Sequence, residues 1–145
     1  MHQRRIRMLL LLAGTIVALT ITACSASVST AHIGSLKTGS EKGFTTETTT
    51  FGPGDTIYAQ ATAENLPNTV TMKWQVVAEA VAGQQPNTPI PGLDQSSDMA
   101  SDGTNSLSLS PPTAGWPLGT YKIIVTMVDG GAQRDQKTKQ FTVAE

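Results

Sequence analysis

The chain is poor in the residues on which most enzymes and metal proteins depend. It has one cysteine, Cys24, and two histidines, His2 and His32, among 145 residues. An internal disulfide is therefore excluded, and nitrogen and sulfur ligands are too few for a four-coordinate transition-metal site. A nucleophilic triad needs a base beside its serine, and no Gly-x-Ser-x-Gly elbow occurs anywhere in the chain. Catalysis is not expected, nor is any cofactor. Basic charge is also scarce: ten Lys and Arg stand against eleven Asp and Glu, for a net charge of −1. Such a surface cannot grip a phosphate backbone, so nucleic acid is not an expected partner. Helical periodicity is absent beyond the first 23 residues, and no later apolar run approaches the roughly 20 residues a membrane-spanning helix needs.

What the chain does have begins at its amino end. Arg4, Arg5 and Arg7 precede an uncharged, largely apolar run from Met8 to Ile21. That run is short for a permanent span and suits the core of a signal peptide, so residues 1–23 are expected to form a signal-peptide helix. Directly after it, Ile21-Thr22-Ala23-Cys24 resembles the lipobox of bacterial lipoproteins. The resemblance implies a lipid on the Cys24 thiol, cleavage before it, and a new amino terminus open to acylation by chains such as palmitate. The expected partner at this end is thus a membrane, held through the lipid anchor. The expected location is the cell membrane or outer membrane, with the domain facing the periplasm or exterior. Ser25, where an aspartate would signal inner-membrane retention in Gram-negative sorting, favours the outer membrane if the source has two membranes. Removing residues 1–23 takes three arginines with it and leaves an acidic excess of four.

Residues 24–32 read as the lipidated cysteine and a flexible tether, because Ser25 to Thr30 is small, polar and uncharged. Residues 33–145 then have a length that suits one domain. Its texture is short β-type runs broken by Gly, Pro, Asn and Asp. Ile57, Ala59, Ala61 and Ala63 alternate with polar residues, as do Val70, Met72, Trp74, Val76 and Ala78. Leu107 and Leu109 mark a shorter strand, and Tyr121, Ile123, Val125 and Met127 a longer one. Asp129-Gly130-Gly131 reads as a hairpin turn leading to a last strand that ends on Phe141 and Val143. Lys137 and Lys139 in that strand are expected to guard a sheet edge. The fold class is all-β.

Residues 83–103 are less regular, rich in Gly, Pro, Gln, Asn, Ser and Asp. They predict a long binding loop or insertion, with at most a short edge strand around Thr88 to Pro91. Asp94, Asp98 and Asp102 recur every four residues there and offer the hard oxygens calcium prefers. The spacing matches no EF-hand loop, so solvated carboxylates are the expectation and no metal is assigned.

The order of these strands, with Trp74 on one and Trp116-Pro117-Leu118-Gly119-Thr120-Tyr121 opening another, resembles the immunoglobulin-like and fibronectin-III-like sandwiches of bacterial exported proteins. The resemblance implies a single antiparallel β-sandwich after the signal peptide and tether, a core role for Trp74, and a tyrosine corner at Tyr121. The cysteine pair of antibody-type domains is missing, which excludes that subtype. Trp116 carries two readings, packing under the corner or presenting its ring to a ligand. Ile124 and Val128 lie on the face opposite Tyr121, covered by neighbours or forming a patch for a partner.

Together these features describe a membrane-anchored cell-envelope lipoprotein that acts as a non-catalytic binding or scaffolding module for a protein or glycan partner. Contacts are expected at residues 83–103 and 111–119. The alternatives are an exported peptidase inhibitor or chaperone-like module presenting Gln85 to Pro91 in extended form, and a carbohydrate- or peptidoglycan-binding module using Trp116.

Overall fold

The computed structural model describes residues 30–145, and in this range the chain is all-β with its strands in two sheets. The expected signal peptide, the Ile21-Thr22-Ala23 segment, Cys24 and most of the tether lie outside the described residues. β1 (His32–Gly39), β3 (Ile57–Glu64) and β7 (Gly103–Leu109) form the smaller sheet in the order β1-β3-β7. β2 (Thr50–Phe51), β9 (Ala132–Val143), β8 (Gly119–Asp129) and β4 (Val70–Val81) form the larger. β5 (Thr88–Pro89) and β6 (Gln95–Met99) both pair with the outer side of β4. All pairings are antiparallel except that of β2 with β9, which is parallel.

Alternation builds the core, as the sequence predicts. Ile57, Ala59, Ala61 and Ala63 of β3 are buried, as are Val70, Met72, Trp74, Val76 and Ala78 of β4 and Tyr121, Ile123, Val125 and Met127 of β8. Because strand side chains alternate with period two, each row faces the opposite sheet while its polar neighbours face solvent. The alanines of β3 fill little volume, so the larger side chains of β4 and β8 occupy most of the space between the sheets. Ile33, Leu107, Leu109, Phe141 and Val143 complete a single apolar cluster.

One end of the molecule is closed by four aromatic rings in succession. Phe51 meets Phe141 edge-on at 5.8 Å, Phe141 stacks on Tyr121 at 5.1 Å, and Trp116 meets Tyr121 edge-on at 6.3 Å. Edge-on and stacked pairs at such separations add to simple burial, by about 0.5–1.5 kcal/mol each. The Tyr121 hydroxyl donates to the Pro117 carbonyl at 2.7 Å, which gives the corner expected there. Gly119 sits at φ +146, tight against the backbone of Ala80 and Val81, where a side chain has no room. At the other end, Gly130 and Gly131 take φ +58 and +82, both positive as a two-residue primed turn requires.

Residues 83–103 depart from the loop expectation. β5 falls within the predicted edge strand, but β6 had no clear signal in the sequence. Together they form one strand along β4, interrupted at Ile90 to Asp94, where Pro91 and Gly92 break the ladder. The reason is tertiary: β4 is long, its outer edge needs a partner, and Gln-Ser-Ser-Asp-Met supplies backbone pairing without apolar alternation. β1 likewise begins at His32, one residue before the expected domain start, and Ala31 is already buried.

Lys137 and Lys139 share a side of β9 with Phe141 and Val143, so they point toward the edge of the interior. Lys139 pairs there with Glu47. Charges turned inward at a strand edge oppose invasion by a foreign strand.

Candidate binding surface

The outer face of the larger sheet carries a groove of about 510 Å³. β4, β8 and β9 form its floor, and residues 94–96 rise along one side. Register fixes the floor: Gln75 lies opposite Ile124, Lys73 opposite Thr126, and Thr126 opposite Gln136. Ile124 and Val128 are half-buried in it. They are neither fully covered by neighbours nor a bare patch, since polar side chains flank both. The Gln136 amide donates to the Thr126 hydroxyl at 2.9 Å, which ties β9 to β8 across the floor.

The chemistry of this lining is neutral. Lys73 and Asp94 contribute opposite charges, and Gln75, Ser96, Thr126, Gln133 and Gln136 contribute amides and hydroxyls. Amides and hydroxyls both donate and accept, so the groove suits an uncharged polar segment with an apolar side chain set against Ile124 and Val128. It holds no pair of carboxylates and no nucleophile beside a base.

At the neighbouring end of the same face, Glu79 accepts from the Gln140 amide at 2.6 Å and pairs with Lys122 at 3.0 Å. The Gln140 hydrogen bond, followed by the one from Lys122, holds its carboxyl below the ordinary range. This cluster is satisfied internally.

The sequence-derived candidates fall elsewhere. Trp116 is 5% exposed, and its indole nitrogen donates to the Asp55 carbonyl at 2.9 Å. Its ring meets that of Tyr121 edge-on at the closed end of the domain, which leaves little of it exposed. The 111–119 loop is pinned in the same way, with the Trp116 amide donating to the Pro53 carbonyl at 2.7 Å. The Gln85 to Pro91 segment is fastened along β4, where Ile90 donates to the Val76 carbonyl at 2.8 Å.

The three aspartates do not converge. Asp102 accepts from the Asn65 and Leu66 amides, both at 2.9 Å, and Asp98 accepts from the Thr71 hydroxyl at 2.7 Å, while Asp94 borders the groove. Among the described residues no group of three or more His, Cys, Asp or Glu is placed to hold a metal. His32 is spanned by the Thr30 carbonyl at 3.0 Å and Glu64 at 3.3 Å. No helix among the described residues is long and apolar enough to cross a membrane.

The sequence singled out Ile124 and Val128 but not the groove around them. Gln133 and Gln136 reach it through the expected hairpin, but Gln75, Gln95 and Ser96 do so through the pairings of β4 with β8 and β6, which are tertiary. Comparison with known proteins adds no assignment: no family model and no curated protein matches the chain.

Proposed function

We propose that this chain is an exported cell-envelope lipoprotein, anchored through Cys24, whose immunoglobulin-like sandwich binds a partner without catalysis. The anchor rests on Arg4, Arg5 and Arg7, the Met8 to Ile21 run and the Ile21-Thr22-Ala23-Cys24 box. The sandwich assignment is supported by the two sheet orders, the parallel β2–β9 pairing and the Tyr121 corner. From Cys24 to the start of β1 at His32, eight residues reach at most about 28 Å when fully extended. The domain would therefore work close to the membrane surface.

The observation that carries the binding role is the neutral groove around Ile124, Thr126 and Val128. Its fitted partner is a protein segment rich in amides, hydroxyls and small apolar groups, because the floor offers matching hydrogen bonds and no aromatic platform. A glycan partner is less well served with Trp116 buried. The inhibitor reading is weakened because the backbone of Thr88 to Ile90 is engaged by β4.

The test has two parts. Intact mass and membrane fractionation of the full chain beside Cys24→Ala should show an acylated, membrane-bound parent and an unacylated variant. An unmodified soluble parent would sink the anchor. A photo-crosslinking residue at position 136 should then give a protein adduct in envelope preparations, with none from position 37 on the opposite sheet. Equal adducts at both positions would remove the groove as the binding surface.

A further inference from the structure

Among the described residues, every sheet edge of this domain is guarded except one. On β9, the outer side is met by Asp135, which accepts from the Ile33 amide at 2.7 Å, by the Glu47–Lys139 pair, and by β2. β1 has a register shift between Ile33 and Ser35, a lysine at position 37, and a cover at Thr38, whose carbonyl accepts from the Thr48 amide at 2.8 Å. The β5–β6 edge is broken by Pro91 and Gly92 and carries Asp94 and Asp98. β7 has none of these devices. It ends the smaller sheet, paired with β3 on one side only, and its seven residues Gly-Thr-Asn-Ser-Leu-Ser-Leu contain no charge and no proline. Gly103, Thr104, Ser106 and Ser108 are exposed. Alternate amides and carbonyls of such a strand point away from its one neighbour and offer a ready ladder to another chain.

We infer that the free edge of β7 pairs antiparallel with β7 of a second copy, about a two-fold axis at Ser106. The occupant is chosen by self-complementarity. This register sets Ser106 against Ser106, Thr104 against Ser108 and Asn105 against Leu107, so hydroxyl meets hydroxyl on the outer face and no like charges meet. A charged foreign peptide would find no complement along the edge. Asn105 is already fixed, donating to the Ser97 hydroxyl at 2.8 Å and accepting from Trp74, so its side chain is ordered before the strand meets its mate. Pairing joins the smaller sheets into one of six strands, β1-β3-β7-β7-β3-β1, and removes the exposed edge from both copies.

The two-fold axis is perpendicular to the sheet, so the two chains enter their domains from opposite ends. If both are anchored in one membrane as proposed above, the strands must lie along its surface, which the short tether permits. The dimer itself does not depend on the anchor.

The experiment is disulfide trapping in the full chain, purified in mild detergent, with the parent as control for Cys24. Residues directly opposite in antiparallel strands have Cα atoms about 4.5–5.5 Å apart, within disulfide reach. Ser106→Cys alone should give a covalent dimer at least tenfold above the parent. Thr104→Cys and Ser108→Cys should each give little alone and cross-link strongly when mixed. Ser106→Lys should sediment as a monomer with unchanged circular dichroism, whereas the parent sediments as a dimer. A monomeric parent, or equal cross-linking of all three cysteine variants, overturns the inference.

Discussion

The indole nitrogen of Trp74, on the larger sheet, donates to the side-chain oxygen of Asn105, on the smaller sheet, at 2.6 Å. Asn105 in turn donates to Ser97, so one amide ties β4, β6 and β7 together where the sandwich opens. Trp74 is 3% exposed, and Asn105 is the side chain that receives its N–H. A buried donor without a partner costs about 1–3 kcal/mol.

Asn105→Ala should therefore destabilise the domain by roughly 1–3 kcal/mol in urea unfolding. Trp74→Phe in the same background should add less than it does alone, because the polar group is then absent. Strict additivity of the two changes would mean that the bond contributes nothing.

The Tyr121 corner should behave similarly. Tyr121→Phe keeps the ring between Phe141 and Trp116 but removes the hydroxyl that donates to Pro117. The expected loss is about 1 kcal/mol in equilibrium unfolding. Burial raises the pKa of this phenol above its ordinary value of 10.0, so Tyr121 should ionise at higher pH in the folded domain than in the unfolded chain. Ultraviolet pH titration of the parent beside Tyr121→Phe checks this, and a Tyr121 signal that appears at or below the ordinary value would contradict it.

Gly119→Ala should be among the most damaging single substitutions. A methyl group there would run into the Ala80 carbonyl oxygen and stand 2.7 Å from the Val81 Cα, both backbone atoms that cannot move aside cheaply. With φ at +146, the backbone is also one that alanine resists. A loss above about 2 kcal/mol, or failure to accumulate folded protein, is expected. Gly43→Ala, at another positive φ but with open space around it, should cost far less.

Asp102 links stability to acid. Hydrogen bonds from the Leu66 and then the Asn65 amide hold its carboxyl below the ordinary 3.8. The folded chain then binds this proton more weakly than the unfolded chain. Its contribution is complete above about pH 3.8 and is lost as pH falls further toward the lowered value. Asp102→Asn should flatten this part of the acid-stability curve. If parent and variant lose stability in parallel between pH 5 and 2, the carboxylate has no such role.

Much of this was readable from residues alone. The alternating rows of β3, β4 and β8, the Asp129-Gly130-Gly131 turn and the all-β class followed from period-two patterning and from the φ values only glycine accepts readily. Those signals are local, set by each residue and its near neighbours. The lipobox reading of Ile21 to Cys24 is local too, and stands as an expectation outside the described residues. Position in sequence carried no comparable signal for partners far apart. Trp116 meets Asp55 across 61 residues and Trp74 meets Asn105 across 31; alternation placed Trp74 inward, but packing chose its partner and turned Trp116 inward. The same holds for β6, whose polar sequence pairs because β4 has an edge to fill. For β7 the strand itself was legible from Leu107 and Leu109, whereas its place at the end of the smaller sheet was not. Chemistry along the chain chose which faces to bury; the closing of the two sheets chose which groups meet.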